Sequence, residues 1–383
     1  MSSIPSTLWV FYRGLTKKLK NSGFILDICS SPDKELDYFR KQFGITVYPV
    51  GIHRRITVWR DILAIIKLVR IFRRNNYDIV HAHTPKAGLL GMIAAILARV
   101  KCRIYTCHGL PTETASGIRR LVLKSTEKIS CSLAHQVLVV SKSLSEKLVD
   151  SGLCKLSKIK ILGSGSACGV DLERFNRTTE LAEKSKAIRS MHSISHDDTV
   201  IGFIGRLVPD KGIGILVESF TRLYQSNPDF RLLVIGNFEP HRGLLSDKIV
   251  EIINNHPGIR RSEFTDQIES YYAAMDMLVL PTRREGFPYT ILEASAMSLP
   301  VIATKVTGCI DAVVDGQTGL LVEPDNAEQL YEAMLQLCKN PQLRKRFGQQ
   351  GRQRAETLFD SKLLVDKHIS LYKELLELQN GKK

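Results

Sequence analysis

Short runs of β-branched and other apolar residues alternate along the whole chain with stretches whose apolar positions recur at helical spacing. The runs are FILDICS (24–30), ITVYPV (45–50), YDIVHAH (77–83), RIYTCHG (103–109), QVLVVS (136–141) and IKILGSG (159–165), followed by TVIGFIG (199–205), FRLLVIG (230–236), MLVLPT (277–282), PVIATK (300–305) and GLLVE (319–323). Nearly continuous apolar strands separated by helices predict parallel sheets covered on both faces. Two such series predict two doubly wound α/β domains. The seam is expected near Asp171 to Arg177, because the following stretch TELAEKSKAIRSMHSISHDD is polar and no strand pattern returns before Thr199. In the tail, SKLLVDKHISLYKELLELQ (361–379) sets Leu363, Leu364, His368, Leu371 and Leu375 at helical spacing, a final amphipathic helix with one face docked. A doubly wound domain usually opens with a strand. Here polar, proline-containing residues lead into a helix near Leu8–Asn21, so the first strand is expected to be missing or very short.

The 383 residues fit two domains of about 150 residues each with some padding, and 44% hydrophobic content supplies both cores. Disorder, collagen and disulfide-stapled miniproteins are excluded on the same ground. The longest apolar run, Ala87 to Ala98, is 12 residues, whereas a membrane-crossing helix needs about 20. The opening MSSIPSTLWVFYRG lacks the basic-then-apolar layout of a signal peptide. Eight cysteines without a CxxC read as reduced cytosolic thiols, and Cys102 and Cys107 fall on opposite faces of one strand, so no metal site is expected. Charge is one-sided. Residues 1–172 hold 27 of the 54 Lys and Arg but only 11 of the 39 Asp and Glu, so all of the net +15 lies in the N-terminal half. That half is expected to face something anionic: nucleic acid, acidic lipid or a phosphorylated substrate. The helix around Thr57–Arg74 sets Ile62, Ile65, Ile66, Val69 and Phe72 beside Arg60, Lys67, Arg70, Arg73 and Arg74. It reads either as an ordinary sheet-covering helix or as one that adsorbs to an anionic cytoplasmic leaflet.

Ligands of open parallel sheets bind beyond the carboxyl ends of the strands. In the N-terminal half those positions include Thr84-Pro85-Lys86 and His108-Gly109-Leu110; in the C-terminal half they include Gly205-Arg206, Glu285-Gly286-Phe287-Pro288 and Thr307-Gly308. Gly205-Arg206 leaves a strand and Lys211-Gly212 opens the next helix, so two cations flank one turn. Pro288 suits the first position of another helix, whose free amides would favour an anion. Glu293, five residues further on, could accept hydrogen bonds from a ribose diol while the amides hold a diphosphate. Each feature alone has an ordinary reading: a solvated turn for Lys211, helix surface or a cap for the glutamates, a structural histidine for His108. Their combination in this order is what points to a nucleotide site.

With those motifs the C-terminal half resembles glycosyltransferase family four, retaining enzymes of the GT-B fold. The resemblance rests on IGRLVPDKGIGILVESF (204–220), on YYAAMDMLVLPTRREGFPYTILEASAMSLPVIAT (271–304) and its Glu-x7-Glu motif, and on DGQTGLLVEPDN (315–326). The N-terminal half resembles the subgroup that builds bacterial capsule, O-antigen and related surface glycans, through DIVHAHTPKAGLLG (78–91), RIYTCHGLPTETASG (103–117) and GSGSACGVDLERFN (163–176). The resemblance implies two Rossmann-like domains facing a cleft, spanning 1–173 and 174–359, with a helix at 360–379 returning to the first. It implies that Arg206 and Lys211 bind the donor diphosphate, that Glu293 binds the nucleotide ribose, and that Glu285 contacts the transferred sugar beside the amides of Gly286 and Phe287. His108 matches a catalytic histidine, and Lys86 is the acceptor-side candidate. No metal and no resident cofactor are implied; the co-substrate is a nucleoside diphosphate sugar, with UDP and an N-acetylhexosamine expected. Relatives begin with a short strand ahead of the segment that SIPSTLWVFYRGL (3–15) resembles. A chain extended upstream by such a strand is expected to be the more stable one.

The expected activity is therefore sugar transfer with retention onto a polyprenyl-diphosphate-linked or oligosaccharide acceptor, in the cytoplasm or on the inner face of the cytoplasmic membrane. Three other readings compete. Glu285 and Glu293 could be a hydrolase pair, but one sits at a helix mouth beside a phosphate site. A GT-B nucleotide-sugar epimerase shares the fold without needing an acceptor. A nucleic-acid-binding protein would suit the basic half, yet the sequence contains no RNA or DNA module.

Overall fold

The computed structural model describes residues 1–53, 57–240 and 243–380, which divide into two compact units. Unit 1 comprises Met1–Cys168 and Ser361–Lys383, and unit 2 comprises Gly169–Asp360.

Unit 1 runs α1 (Pro5–Asn21), β1 (Asp27–Ser30), α2 (Lys34–Phe43), β2 (Thr46–Pro49), α3 (Val58–Asn75), β3 (Ile79–His83), α4 (Pro85–Leu97), β4 (Cys102–Cys107), α5 (Gly117–Leu133), β5 (Gln136–Val139), α6 (Lys142–Asp150) and β6 (Ile159–Lys160). The strands are parallel and form two pieces, β1-β2 and β3-β4-β5-β6. Between the pieces, Ser2 makes isolated parallel bridges to Ser30 and to His83. Of the run IKILGSG only Ile159 and Lys160 pair as strand. Helix α1 buries Leu8, Tyr12, Leu15 and Leu19, one stripe at helical spacing. The last helix of the chain, Ser361–Asn380, buries Leu364, Leu371, Tyr372 and Leu375 in the same core as that stripe and Ile104 of β4.

Unit 2 runs α7 (Thr179–Met191), β7 (Thr199–Ile204), α8 (Ile213–Ser226), β8 (Phe230–Ile235), α9 (Asp247–Asn255), β9 (Ile259–Ser262), α10 (Ile268–Ala274), β10 (Met277–Leu280), α11 (Tyr289–Ala296), β11 (Val301–Thr304), α12 (Cys309–Ala312), β12 (Gly319–Val322), α13 (Ala327–Lys339) and α14 (Pro341–Leu358). Helix Ser361–Asn380 is accordingly α15. The sheet is parallel, in the order β12-β11-β10-β7-β8-β9. Strands β7, β8, β10 and β11 are buried on both faces, which is why they read as unbroken apolar runs. Strand β9 (IRRS) escaped the sequence pattern because it is a polar edge strand. Its Arg260 donates to the His192 carbonyl at 2.6 Å and its Arg261 lies over the Phe238 ring at 4.8 Å.

The units divide a few residues before the seam read from the sequence. Val170 bridges Asp360, its N–H donating to the Phe359 carbonyl at 2.8 Å, so the linking residues belong to unit 2. Strand order in unit 2 reverses between β7 and β10, the switch point at which open α/β sheets leave a crevice.

Candidate functional site

Three loops converge at this switch point because glycine allows it. Gly212, at φ +69°, caps α8, and a Cβ there would collide with the Pro281 carbonyl in the loop after β10. At Gly308, φ +78° in the loop after β11, a Cβ would likewise collide with the Gly286 carbonyl. Hydrogen bonds lock the contact: Thr282 Oγ1 and the Arg283 N–H both donate to the Asp210 carbonyl, at 3.1 and 2.9 Å.

On this frame Lys211 forms an ion pair with Glu285, their side chains only 16% and 14% exposed. Arg284 pairs with Asp210 at 3.2 Å, and Arg206, more open to solvent, lies 3.7 Å from Glu239. Pro288 does not take the first helical position expected of it. Its ψ of 114° is extended, so it stands as the cap and α11 starts at Tyr289. Phe287 packs half-buried with its ring 5.3 Å from that of Phe359. Glu293 is buried, and its Oε2 accepts a hydrogen bond from Tyr272 Oη at 2.7 Å. Burial and the adjacent Glu293 carboxylate raise the Tyr272 phenol well above its usual range, so it remains a donor. Tyr272 and Glu239 were not singled out from the sequence. Tyr272 reads there as one more apolar helix position, 21 residues before its partner.

His108 and Lys86 belong to unit 1. His108 follows β4, stacks on Phe11 with ring centroids 5.7 Å apart, and places Nε2 3.4 Å from His83 Nδ1. Burial, with the charge of His368 as a second cause, pulls its pKa down to about 4, so the ring is neutral at pH 7. Neighbouring His81 holds Tyr372 Oη and Thr106 Oγ1 between its two nitrogens, both at 2.6 Å. Lys86, in the first turn of α4, is engaged by Asp61 of α3 at 2.8 Å, with both side chains largely buried. The structure thus gathers Arg206, Lys211, Glu285, Gly286, Phe287 and Glu293 on the turns and helix starts around one switch point of unit 2. Such a set can neutralise a diphosphate and hydrogen-bond hydroxyl groups.

Known proteins carry the same plan. The family model for group 1 glycosyl transferases matches residues 184–354, and that for Glycosyltransferase Family 4 matches residues 9–174. A capsular polysaccharide biosynthesis glycosyltransferase of Staphylococcus aureus is 34% identical over 97% of this chain and 95% of its own. The chain belongs to the family-four glycosyltransferases. A UDP-Gal:alpha-D-GlcNAc-diphosphoundecaprenol alpha-1,3-galactosyltransferase of Escherichia coli is 26% identical to this glycosyltransferase, over 83% of the chain and 81% of the relative. A solved glycosyltransferase from Rickettsia africae superposes with a TM-score of 0.80 over 98% of this chain and 97% of its own, at 22% identity. The glycosyltransferase has the GT-B fold, with two parallel α/β units and a last helix that joins the first of them.

Proposed function

We propose that this glycosyltransferase moves a hexosyl or N-acetylhexosaminyl group from a UDP-sugar to a polyprenyl-diphosphate-linked acceptor during surface-polysaccharide assembly, with retention at the anomeric carbon. The observation that carries this reading is the placement of two cations at the β7/β10 switch point, Lys211 paired with Glu285 and Arg206 beside Glu239. In this reading Arg206, Lys211 and the amides of Gly286 and Phe287 neutralise the diphosphate as it leaves, a task that then needs neither metal nor resident cofactor. Glu293, aimed by Tyr272, takes the ribose diol, and Glu285 takes hydroxyls of the transferred sugar. His108 serves the reacting bond as a neutral imidazole. Lys86 acts on the acceptor side by fixing the first turn of α4 through Asp61. In this reading the reaction is a same-face displacement, in which the acceptor oxygen bonds to the anomeric carbon as its bond to the diphosphate breaks and the departing phosphate takes the acceptor proton. The name of the E. coli relative supports both the nucleotide and the lipid-linked acceptor.

Among the described residues no helix is long and apolar enough to cross a membrane. We infer peripheral adsorption to an anionic inner leaflet instead, through α3 and α5. Titrating UDP calorimetrically tests the donor site. Charge-assisted hydrogen bonds contribute roughly 1.5–3 kcal/mol, so Lys211→Ala should weaken UDP on the order of 10- to 150-fold. UDP binding that survives Lys211→Ala but is abolished by Glu285→Ala would overturn the assignment.

A further inference from the structure

Unit 2 holds a second charged cavity, at the opposite end of its sheet from Arg206 and Lys211. Asp276 directly precedes β10 and Ser298 stands just ahead of β11, so this cavity of about 340 Å³ lies where those strands begin. The donor cradle lies beyond where strands end. Four cations line the cavity: Arg177 ahead of α7, Arg189 in the last turn of α7, and Arg344 and Lys345 near the start of α14. Among the described lining residues Asp276 is the one acid, and the first turn of α14 contains none.

The four cations are not equally occupied. Arg189 is spent on the fold: Nη2 reaches Asp276 Oδ2 at 3.1 Å, Nε donates to the Ala274 carbonyl at 3.1 Å, and Nη1 donates to the Ser195 and Asp198 carbonyls at 3.1 and 3.2 Å. Asp276 Oδ2 also accepts the Val200 N–H at 2.7 Å, so the one carboxylate is already engaged. Arg344 gives Nη1 to the Leu337 and Cys338 carbonyls at the end of α13, at 2.6 and 2.9 Å. Arg177, by contrast, uses only Nε, on the Met297 carbonyl at 2.9 Å; its two terminal nitrogens have no hydrogen-bond partner among the described residues. Lys345 has neither hydrogen bond nor ion pair among them. Ser298 follows α11 at φ +57°, a left-handed position where glycine is usual, and as a serine it adds a hydroxyl to the lining groups.

We propose that this cavity binds a phosphate group, free or as a monoester, between Arg177, Arg344 and Lys345. Like charges that converge on one cavity repel each other unless an anion answers them, and Asp276 is committed to Arg189 and Val200. A phosphate dianion supplies both the charge and several acceptor oxygens for the spare donors, and the planar fork of Arg177 suits two of those oxygens at once. The apolar residues Met275 and Leu299 also border the cavity but are themselves buried in the core of unit 2, so the wall offers little for a base or an acyl chain. The site shares no residue with the donor cradle and does not depend on its assignment.

The test titrates inorganic phosphate into the whole chain by calorimetry, with excess UDP present and ionic strength held constant with chloride. Arg177→Gln, Lys345→Gln and the double variant probe the cavity, and Lys211→Ala probes the donor cradle. The expected result is saturable phosphate binding that each single variant weakens on the order of tenfold, that the double variant abolishes, and that Lys211→Ala leaves unchanged. Melting temperatures serve as the second measurement: phosphate should raise that of the wild type and not that of the double variant, whereas without phosphate the two should melt alike. Glycerol 3-phosphate as competitor distinguishes the sources; displacement of phosphate assigns the site to monoesters and its absence to the free anion, and both uphold the site. Phosphate binding that survives in the double variant, or that is lost in Lys211→Ala, overturns the proposal. So does a melting temperature lowered equally with and without phosphate in the double variant, which would confine the two cations to a role in the fold.

Discussion

At the scale of single residues, the ion pair between Lys211 and Glu285 has a consequence for binding. A diphosphate arriving at Lys211 must compete with a carboxylate already there. Glu285→Gln removes that competitor while keeping the shape, so UDP should bind as tightly as before or a few-fold more tightly. Sugar transfer should fall, because the partner of Glu285 is the transferred sugar. Calorimetry with UDP beside a transfer assay separates the two effects, and a large loss of UDP affinity would contradict them. Tyr272 makes the complementary case. Tyr272→Phe leaves Glu293 short of one buried hydrogen bond, a loss of about 0.5–1.5 kcal/mol. UDP affinity should fall roughly 2- to 12-fold. Free inorganic diphosphate, which has no ribose, should bind unchanged, and an equal loss for both ligands would place Glu293 elsewhere.

At the scale of elements, α3 departs from its sequence reading in an informative way. The face read as apolar was Ile62, Ile65, Ile66, Val69 and Phe72. The structure buries Ala64, Leu68 and Phe72 and leaves a second apolar stripe outside: Val58, Trp59, Ile62, Leu63 and Ile66, with Trp59 80% exposed. Helix α5, which like α3 packs on α4, exposes Ile118 and Leu121 beside Arg119 and Arg120. Apolar residues standing outside among exposed bases fit a lipid interface better than plain solvent. Each basic residue near an anionic surface contributes on the order of 1 kcal/mol. Co-sedimentation with vesicles should therefore rise with anionic lipid and fall with salt, and Trp59→Ser with Leu63→Ser should reduce it. Indifference to lipid charge, salt and both substitutions would remove the membrane reading.

For the whole molecule, the two units should respond to different solutes. Unit 1 carries four buried imidazoles whose pKa values burial depresses, His108 and His368 to about 4 and His81 and His83 well below the usual value. An unfolded histidine titrates near 6.5, so between about pH 4 and 6.5 the unfolded chain binds more protons, and stability is lost as pH falls through that window. Glu127 opposes this, since burial lifts its pKa to about 7 and acid favours its folded form. One carboxyl does not offset four imidazoles, and the melting temperature of unit 1 should drop between pH 7 and pH 5. UDP acts on the other unit. At 100 times its dissociation constant it adds about 2.7 kcal/mol to the unit that binds it. Calorimetry at both pH values, with and without UDP, should show the acid-sensitive transition unmoved by UDP and the other transition raised. A UDP-dependent rise in the acid-sensitive transition would mean that the donor cradle is not confined to unit 2.

Hydrophobic patterning alone gave the parallel α/β class, both strand series and the amphipathic final helix, because strands buried on both faces must be apolar throughout. The positions of Arg206, Lys211 and Glu285 after strands, and of Glu293 in the helix that follows, were equally legible, since ligands bind beyond the carboxyl ends of parallel strands and those ends show in the sequence. Tertiary structure decided what depends on contacts distant along the chain. The polar edge strand β9 is recognisable only by its pairing with β8. Tyr272 becomes a site residue only when folding brings it to Glu293, and Gly212 and Gly308 matter because carbonyls from another loop press on them. Which apolar stripe of α3 stays outside was settled by the packing of its opposite face.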